Sequence, residues 1–259
     1  MGTRRRGTAL LCAVVVMSGV AGCGGSDGKS GGGEPSGAAT VSNAQRMSAS
    51  LKLLKDYRSL GLKGEFRGDM IRKVDLHADR QGNCVGTYAE SDSTTKVVIT
   101  GGRGWLAYDD RGLESIRSFA QSYMPDKVAA VEEAVKKARG KYVEYPVHDV
   151  LQFPGVNLCA LDRAFAGVPG KVGSAERGNP RTEVGERLVS LTHAFEDGEV
   201  VVHVPEKGEP VPRGVEFEID DNPVLLELDD YDEPVNVKPP GPADIVQEKE
   251  VRGLDLSLG

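Results

Sequence analysis

The chain has 259 residues, of which 39% are hydrophobic, so it is long enough for one large domain with a core of its own. Its formal net charge is −7, and an acidic surface argues against binding to nucleic acid, which needs clustered positive charge. Aromatic residues make up only 5% of the chain, so the core must be built mainly from Val, Leu and Ala.

Residues 1–22 have the parts of a secretory signal peptide. Arg4, Arg5 and Arg6 give a basic start, and an apolar run from Ala9 to Val20 follows. This run is too short to cross a bilayer as a mature helix. Removal of the segment takes away three arginines and no acids, which lowers the net charge from −7 to −10.

A cysteine directly follows the small residues at the end of this segment. The stretch Val20-Ala21-Gly22-Cys23 resembles the lipobox of bacterial lipoprotein signal peptides. That resemblance implies cleavage before Cys23, followed by a diacylglycerol and an N-linked acyl chain such as palmitate on this residue. An ordinary secretory signal with a chance cysteine is the alternative. We expect a protein anchored through Cys23 to the cell membrane, on its extracytoplasmic face.

The rest of the chain divides into three segments by composition. Residues 23–40 are rich in Gly and Ser and predict a flexible tether with a reach of roughly 20–25 Å. Residues 41–243 hold the patterned segments and predict one domain. Residues 244–259 predict a polar tail, and the Pro-rich chain from Pro239 onward is expected to fray.

Two cysteines remain once Cys12 leaves with the signal and Cys23 is acylated. Cys84 and Cys159 are then the thiols of the domain, and two thiols in an exported protein most often pair. Two free, buried cysteines are the alternative, because spacing alone cannot establish a bond.

Apolar residues at helical spacing alternate along the chain with segments of period two. The predicted helices run from about Asn43 to before Gly61, over Leu113–Met124, from the cap Asp126 to Gly140, and briefly over Ala160–Phe165. The first group of predicted strands is Leu60–Phe66, Val74–Ala78, Cys84–Glu90, Lys96–Thr100 and Trp105–Tyr108, and Lys141–Pro146 follows the third helix. Their alternation of apolar and charged residues is typical of an antiparallel sheet with one buried face.

Two hairpins complete the predicted sheet, one turning at Asp197-Gly198 and one around Asp220–Pro223. A two-residue turn at the first site places Phe195 opposite Val200 and His193 opposite Val202. His193 then lies in an apolar face, where a hydrogen-bonded core histidine is the commoner role.

Signals for catalysis or metal binding are weak. His193 and His203 have opposite parity along their strands, so they cannot share a metal ion. No nucleophile elbow, zinc-protease motif or phosphate-binding glycine loop occurs. The acidic stretch Asp229–Glu233 carries oxygen ligands that suit Ca²⁺, but such a run is more often a solvated surface. We therefore predict a non-enzymatic protein without a cofactor, a resident metal or catalytic residues.

Five short segments stand out within this order of elements: Leu62–Phe66, Gly82–Thr87, Gly140–Val143, Leu158–Leu161 and Tyr231–Pro240. Together with the lipobox and the order of elements, they resemble the cell-envelope lipoproteins LppX and LprG and, more distantly, the LolA and LolB lipoprotein carriers. The resemblance implies an α+β fold: a strongly curved antiparallel sheet, or half-barrel, with helices on its concave face around an apolar cavity. It also suggests that Cys84 and Cys159 pair.

The ligand that this resemblance implies is a lipid or an acylated molecule, bound in the cavity. The residues expected to line the cavity are Leu62, Phe66, Val74, Leu76, Val128, Val131, Val135, Leu191, Phe195, Val202 and Phe217. The polar segment Gly167–Arg181 departs from the carriers, and few large apolar residues are left once the sheet face is filled. The alternative is therefore an envelope lipoprotein with a packed core that binds a protein partner through its surface.

Overall fold

The computed structural model describes residues 41–67, 71–153, 155–183, 185–196, 198–219 and 222–254. The expected signal peptide, the lipobox with Cys23 and the tether all lie outside the described residues. From Val41 onward the chain folds as one compact unit. None of the helices in the described ranges is long and apolar enough to cross a membrane.

The described chain contains five α-helices and thirteen strands. The helices are α1 Asn43–Asp56, α2 Asp110–Tyr123, α3 Val128–Ala138, α4 Val147–Val150 and α5 Leu161–Ala164. The first eight strands are β1 Ser59–Arg67, β2 Ile71–Asp79, β3 Cys84–Glu90, β4 Ser93–Thr100, β5 Arg103–Tyr108, β6 Tyr142–Pro146, β7 Glu176–Arg177 and β8 Arg181–Glu183. The remaining strands are β9 Glu186–Phe195, β10 Gly198–Pro205, β11 Gly214–Ile219, β12 Asn222–Asp229 and β13 Ile245–Gln247.

All thirteen strands belong to one curled sheet in the order β13-β6-β5-β4-β3-β2-β1-β12-β11-β10-β9-β7, and β8 also pairs with β9. Every pairing is antiparallel except that of β13 with β6. The edges at β13 and β7 stay apart, so the sheet is open. The predicted α+β half-barrel is confirmed.

Two glycines lie where neighbouring strands of the curled sheet approach each other closely. A Cβ atom on Gly64 of β1 would come within 2.7 Å of Leu226 Cδ2 on β12. A Cβ on Gly86 of β3 would come within 2.8 Å of Leu76 Cα on β2, and the φ angle of Gly86 is +152°. Glycine inside a strand is typical of a tight bend or a close backbone approach, so both positions favour the strong curvature of this sheet.

Helix α1 forms as its sequence predicts, because its N-terminus is capped locally. The Ser42 side chain accepts a hydrogen bond from the Gln45 backbone N–H, and the Gln45 side chain accepts one from the Ser42 N–H. Its inner face buries Met47, Leu51 and Leu54 completely.

The prediction that Asp126 caps α3 is wrong. This helix begins at Val128, and its N-cap residue Lys127 makes no side-chain capping bond. The Lys127 N–H bonds to the Met124 carbonyl instead, so the short turn after α2 leads directly into α3 and leaves Asp126 before the cap position. Helix α2 does have a side-chain cap, in which Asp109 accepts from the Gly112 N–H at 2.7 Å.

The register of the first hairpin differs from the expected one by two residues. Phe195 pairs with Gly198 and His193 pairs with Val200, so the turn falls one position earlier than Asp197-Gly198. Gly198 has a φ of +150°, which favours glycine, and this lets it serve as the first strand position. Because the shift is even, each side chain stays on the face that the alternation assigned to it.

The end of the chain is not the polar tail that was expected from residue 244. Ile245–Gln247 forms β13 beside Tyr142–Glu144 of β6, and Val246, Val251 and Leu254 are buried. The domain therefore continues to the last described residue, because these apolar side chains complete the core beside β6.

Candidate functional site

Most of the residues expected to line a cavity do meet on the concave side of the sheet. The eight that are buried in one apolar cluster are Leu62, Phe66, Val74, Leu76, Val131, Val135, Leu191 and Val202. Val128 is half-buried, and Phe217 is partly buried with its ring centroid 5.9 Å from that of Phe165. Phe195 is 45% exposed, so it does not belong with the others, because it ends β9 next to the hairpin turn.

The interior at these positions is filled. A side chain that lined a void large enough for water would keep accessible area inside that void. Leu62, Val131, Leu191 and Val202 have none. In this structure no open cavity touches these four of the predicted lining residues.

A segment between β6 and β7 supplies much of what fills the concave side. Its buried apolar side chains are Phe153, Val156, Leu158, Leu161, Phe165, Val168 and Val172. We call residues 153–172 the plug. The short helix predicted over Ala160–Phe165 is confirmed as α5. The rest of the plug was not predicted, because its turns are too short to show a period and its apolar residues are irregularly spaced.

A disulfide bond joins the plug to the sheet. Cys84 of β3 and Cys159 of the plug are bonded, with their Cα atoms 5.6 Å apart, and both residues are buried. The bond closes a loop across 75 positions of the sequence, which fixes the middle of the plug over the centre of the sheet.

Helix α2 covers the concave side with few buried side chains. Its buried residues are Gly112, Leu113 and Ala120, whereas α1 buries two leucines and a methionine. On its outer side Phe119 is 44% exposed and Tyr123 is 73% exposed, and their ring centroids lie 5.0 Å apart. Helices with few buried apolar contacts are the ones that open most easily, so α2 is the least firmly held of the three long helices.

The opposite, convex face carries a polar cluster that the sequence did not reveal. His203 is 3% exposed, and its Nε2 lies 2.6 Å from Glu216 Oε1. Its Nδ1 lies 3.1 Å from Ser190 Oγ and 3.2 Å from an Arg181 nitrogen. These four residues come together only through the register of β9, β10 and β11 and the pairing of β8 with β9.

This cluster contains the atoms of a serine–histidine–acid arrangement but not its chemistry. Arginine can only donate, so Nδ1 of His203 accepts, and Nε2 carries the proton that is donated to Glu216. A base for Ser190 would need the Nδ1 lone pair that Arg181 already occupies. The cluster therefore serves to hold β8 against β9 and β10.

Two of the four acidic residues in Asp229–Glu233, near the end of β12, are engaged by a cation or a backbone donor of the chain. Asp229 pairs with Lys63 at 2.7 Å, and Asp232 accepts from the Arg58 backbone N–H at 2.7 Å. Among the described residues no group of three or more His, Cys, Asp or Glu side chains is arranged to hold a metal ion.

Two surface clefts lie outside the predicted cavity, and Tyr145 of the apolar cluster reaches the wall of the first. The first, about 430 Å³, is lined by Gly102, Arg103, Glu144, Tyr145, Pro146, Gln247, Glu248 and Lys249. The second, about 610 Å³, is lined by Gly185, Glu186, Arg187, Pro205, Glu206 and Lys207. Both are lined mainly by polar residues, and neither is lined by any of the eleven residues expected at the cavity.

No protein-family model and no curated protein matches this chain. Solved structures that are similar to it include LprF from Mycobacterium bovis, with 13% identity, a TM-score of 0.48 and coverage of 77% of this chain and 97% of that one. Mycobacterium tuberculosis lipoprotein LppX has 10% identity, a TM-score of 0.45 and coverage of 76% and 98%. An uncharacterized conserved protein from Thermus thermophilus has 10% identity, a TM-score of 0.31 and coverage of 78% and 97%.

LppX is one of the lipoproteins that the sequence resembles. The similarity in structure extends over most of both chains. Because the TM-scores are below 0.5, neither a ligand nor an activity follows from these similarities.

Proposed function

We propose that this protein is a membrane-anchored, extracytoplasmic lipoprotein that binds acyl chains or a lipidated molecule without catalysing a reaction. The observation that carries the proposal is the concave face of the sheet, where eight predicted lining residues form one continuous apolar cluster beneath helices. The lipobox at Val20–Cys23 supports the anchor, and the Gly/Ser-rich residues that follow support a flexible connection to the membrane.

A guest chain needs space that is not open at Leu62, Leu191 and Val202, so a part of the cover must move. Lifting α2 exposes Leu113, Ala120 and the partly buried Ile116, at a cost of roughly 3–6 kcal/mol. Burying an acyl chain contributes about 0.8 kcal/mol per CH₂. A chain of about ten buried carbons therefore outweighs the cost of lifting α2, and binding follows from hydrophobic burial with little selectivity for the headgroup.

The filled interior itself favours a second function. A packed domain has no place for a guest, and in that case the exposed surface would bind an envelope protein. The absence of accessible area on Leu62, Leu191 and Val202 is the observation behind this alternative.

A covalent lock of α2 separates the two functions. A Cβ on Gly112 would lie 3.5 Å from Ser93 Cβ on β4, which is within the range of a disulfide. We expect the domain of residues 41–259 to bind a fluorescent fatty acid, and the oxidised S93C/G112C variant to bind it at least tenfold more weakly. The S93C single variant is the matched control. Native mass spectrometry should show lipid that co-purifies with the unlocked domain only.

Each outcome of this experiment has a defined meaning. Bare protein in the mass spectrum together with no fatty-acid binding by the unlocked domain excludes the acyl-binding function and leaves the packed-core alternative. Equal binding by the locked and unlocked domains excludes α2 as the moving part of the cover.

A further inference from the structure

Two arginines pair with one carboxylate, and a third lies close by, where β9 and β10 pair at the end of the sheet. Glu206 accepts from Arg187 Nε at 2.8 Å and from Arg177 at 3.3 Å. Arg46 of α1 lies beside them, since it donates to the carbonyl of Pro205, the residue before Glu206. One carboxylate cannot neutralise three guanidinium groups, so this corner is electropositive in a chain whose net charge is −7.

Arg46 is the least satisfied of the three. Within the described part of the chain it forms no ion pair, and its guanidinium donates only to the carbonyl oxygens of Pro205 and Gly208. Its Nε atom is buried and has no hydrogen-bond partner. Leaving a buried donor without a partner is unfavourable, and more so when the group is charged.

The surroundings of Arg46 make its positive charge more unfavourable still. Burial, and next the charge of Arg177, lower the pKa of Arg46. Arg46 also stands in the first turn of α1, which contains no acidic residue. The helix dipole favours anions at that end, so a cation there is opposed by the dipole as well. One bound anion would offset the repulsion by Arg177 and the unfavourable helix dipole, and it would accept from the unpartnered Nε of Arg46.

The second surface cleft, about 610 Å³, adjoins this group of arginines. Its lining contains two cations, Arg187 and Lys207, and two carboxylates, Glu206 and Glu186, of which Glu186 is paired with Arg213 at 2.9 Å. Arg46 and Arg177 reach the cleft through lining residues, since Arg46 donates to the Pro205 carbonyl and Arg177 pairs with Glu206. With Arg46 and Arg177 included, the cations at the cleft outnumber its two carboxylates, so the cleft has both the room and the charge for a small anionic group.

We propose that this cleft binds a phosphate group, held by Arg46, Arg177 and Arg187. Guanidinium groups match the geometry of phosphate oxygens and bind them through pairs of parallel hydrogen bonds. The site is independent of acyl binding on the concave face. Its phosphate comes either from a phospholipid headgroup at the membrane or from a soluble phosphate compound, and the chemistry of recognition is the same.

Titration of residues 41–259 with inorganic phosphate, at constant ionic strength, tests the site directly. We expect saturable shifts of the arginine Nε–H signals in NMR spectra and a rise in the unfolding temperature as phosphate binds the folded state. R46Q and R177Q should each weaken binding at least tenfold. R117Q is the matched control, because Arg117 lies on α2 beside Glu114 and has no contact with the cleft residues. Shifts that do not saturate, or equal binding by R177Q and R117Q, would overturn the proposal.

A vesicle assay with the same domain, which lacks Cys23, distinguishes the two sources of phosphate. Binding to vesicles that contain phosphatidylglycerol, lost in R177Q, supports a phospholipid headgroup. Phosphate binding in solution without vesicle binding supports a soluble phosphate compound. If R46Q does not fold, R187Q replaces it, since the Arg187 side chain is 62% exposed and its loss leaves α1 untouched. Unchanged phosphate affinity in both R177Q and R187Q refutes the site.

Discussion

The Nε2 atom of His203 lies 2.6 Å from Oε1 of Glu216, across the β10–β11 pair on the convex face of the sheet. The imidazole is almost completely buried, so its Nε2–H and its Nδ1 lone pair find their hydrogen-bond partners in the protein and not in water. This contact is thus a point where a single side chain on an exposed surface stabilises a buried polar group.

Replacement of Glu216 by Ala should destabilise the domain. The change leaves the buried Nε2–H of His203 without an acceptor, and we expect a loss of about 1–3 kcal/mol in the free energy of unfolding, measured by urea titration. E227A is the matched control, because Glu227 lies on the neighbouring strand β12 with an exposed side chain. Equal losses in the two variants would contradict a specific role for the contact.

A second prediction concerns the curvature of the sheet at Gly64. A methyl group at this position would collide with the Leu225 carbonyl oxygen and lie 2.7 Å from Leu226 Cδ2. Because backbone atoms cannot move aside without bending β12, we expect G64A to cost roughly 1–3 kcal/mol of stability.

G167A is the matched control for this change. A Cβ on Gly167 meets no atom within 4 Å, so the variant should be neutral or slightly more stable through its effect on the unfolded chain. Comparable unfolding temperatures for G64A and G167A would show that the approach of β1 to β12 is not tight.

Local patterns in the sequence were sufficient for α1 and for the strands from β1 to β5. In these segments the period of two or of nearly four is unbroken, and the caps and turns lie close to the residues that they serve. The concave face could be assigned for the same reason, because parity along a strand survives even the two-residue error in the register of Phe195 and Gly198.

Apart from the helix α5, the plug could not be predicted from the sequence, and neither could the His203 cluster or β13, because each depends on contacts between distant segments. The apolar residues of the plug are irregularly spaced, and only the sheet determines which of them point inward. Arg181 reaches His203 only because β8 pairs with β9. Strand β13 has three residues, too few for a periodic signal, and it exists because β6 offers a free edge.

The last segment gives a third prediction, on truncation. Removal of residues 244–259 takes away the buried side chains of Val246, Val251 and Leu254 and uncovers β6. It also removes Gly253, which packs closely against the backbone of Ala130 in α3. We expect a loss of several kcal/mol, at roughly 1.5–3 kcal/mol for each buried apolar side chain.

A chain that ends at Leu254 is the control for this truncation, since it keeps β13 and all three buried side chains. Its unfolding temperature should match that of the domain ending at residue 259. If the chain that ends at residue 243 were equally stable, the end of the chain would be the polar tail that the sequence predicted.

A fourth prediction concerns the bond between Cys84 and Cys159. On the chain-entropy model a loop of this length contributes about 4 kcal/mol, so the C84A/C159A variant should unfold at a much lower urea concentration. Release of the plug should also expose apolar surface and increase the binding of a hydrophobic dye. Two reactive thiols in the native, exported protein would contradict the bond.

A fifth prediction follows from the burial of Tyr88 on β3. Burial, and next the charge of Glu90, raise its pKa from 10.0 to about 12. The folded state therefore binds this proton more tightly than the unfolded chain does, so Tyr88 contributes stability that is present in full below pH 10 and is lost between pH 10 and 12. Urea unfolding over this interval should show a steeper fall in stability for the wild-type domain than for Y88F.

Y123F is the matched control, because the Tyr123 side chain is 73% exposed, and it should follow the wild type. The same slope in Y88F and wild type would contradict the assignment of the alkaline transition to Tyr88.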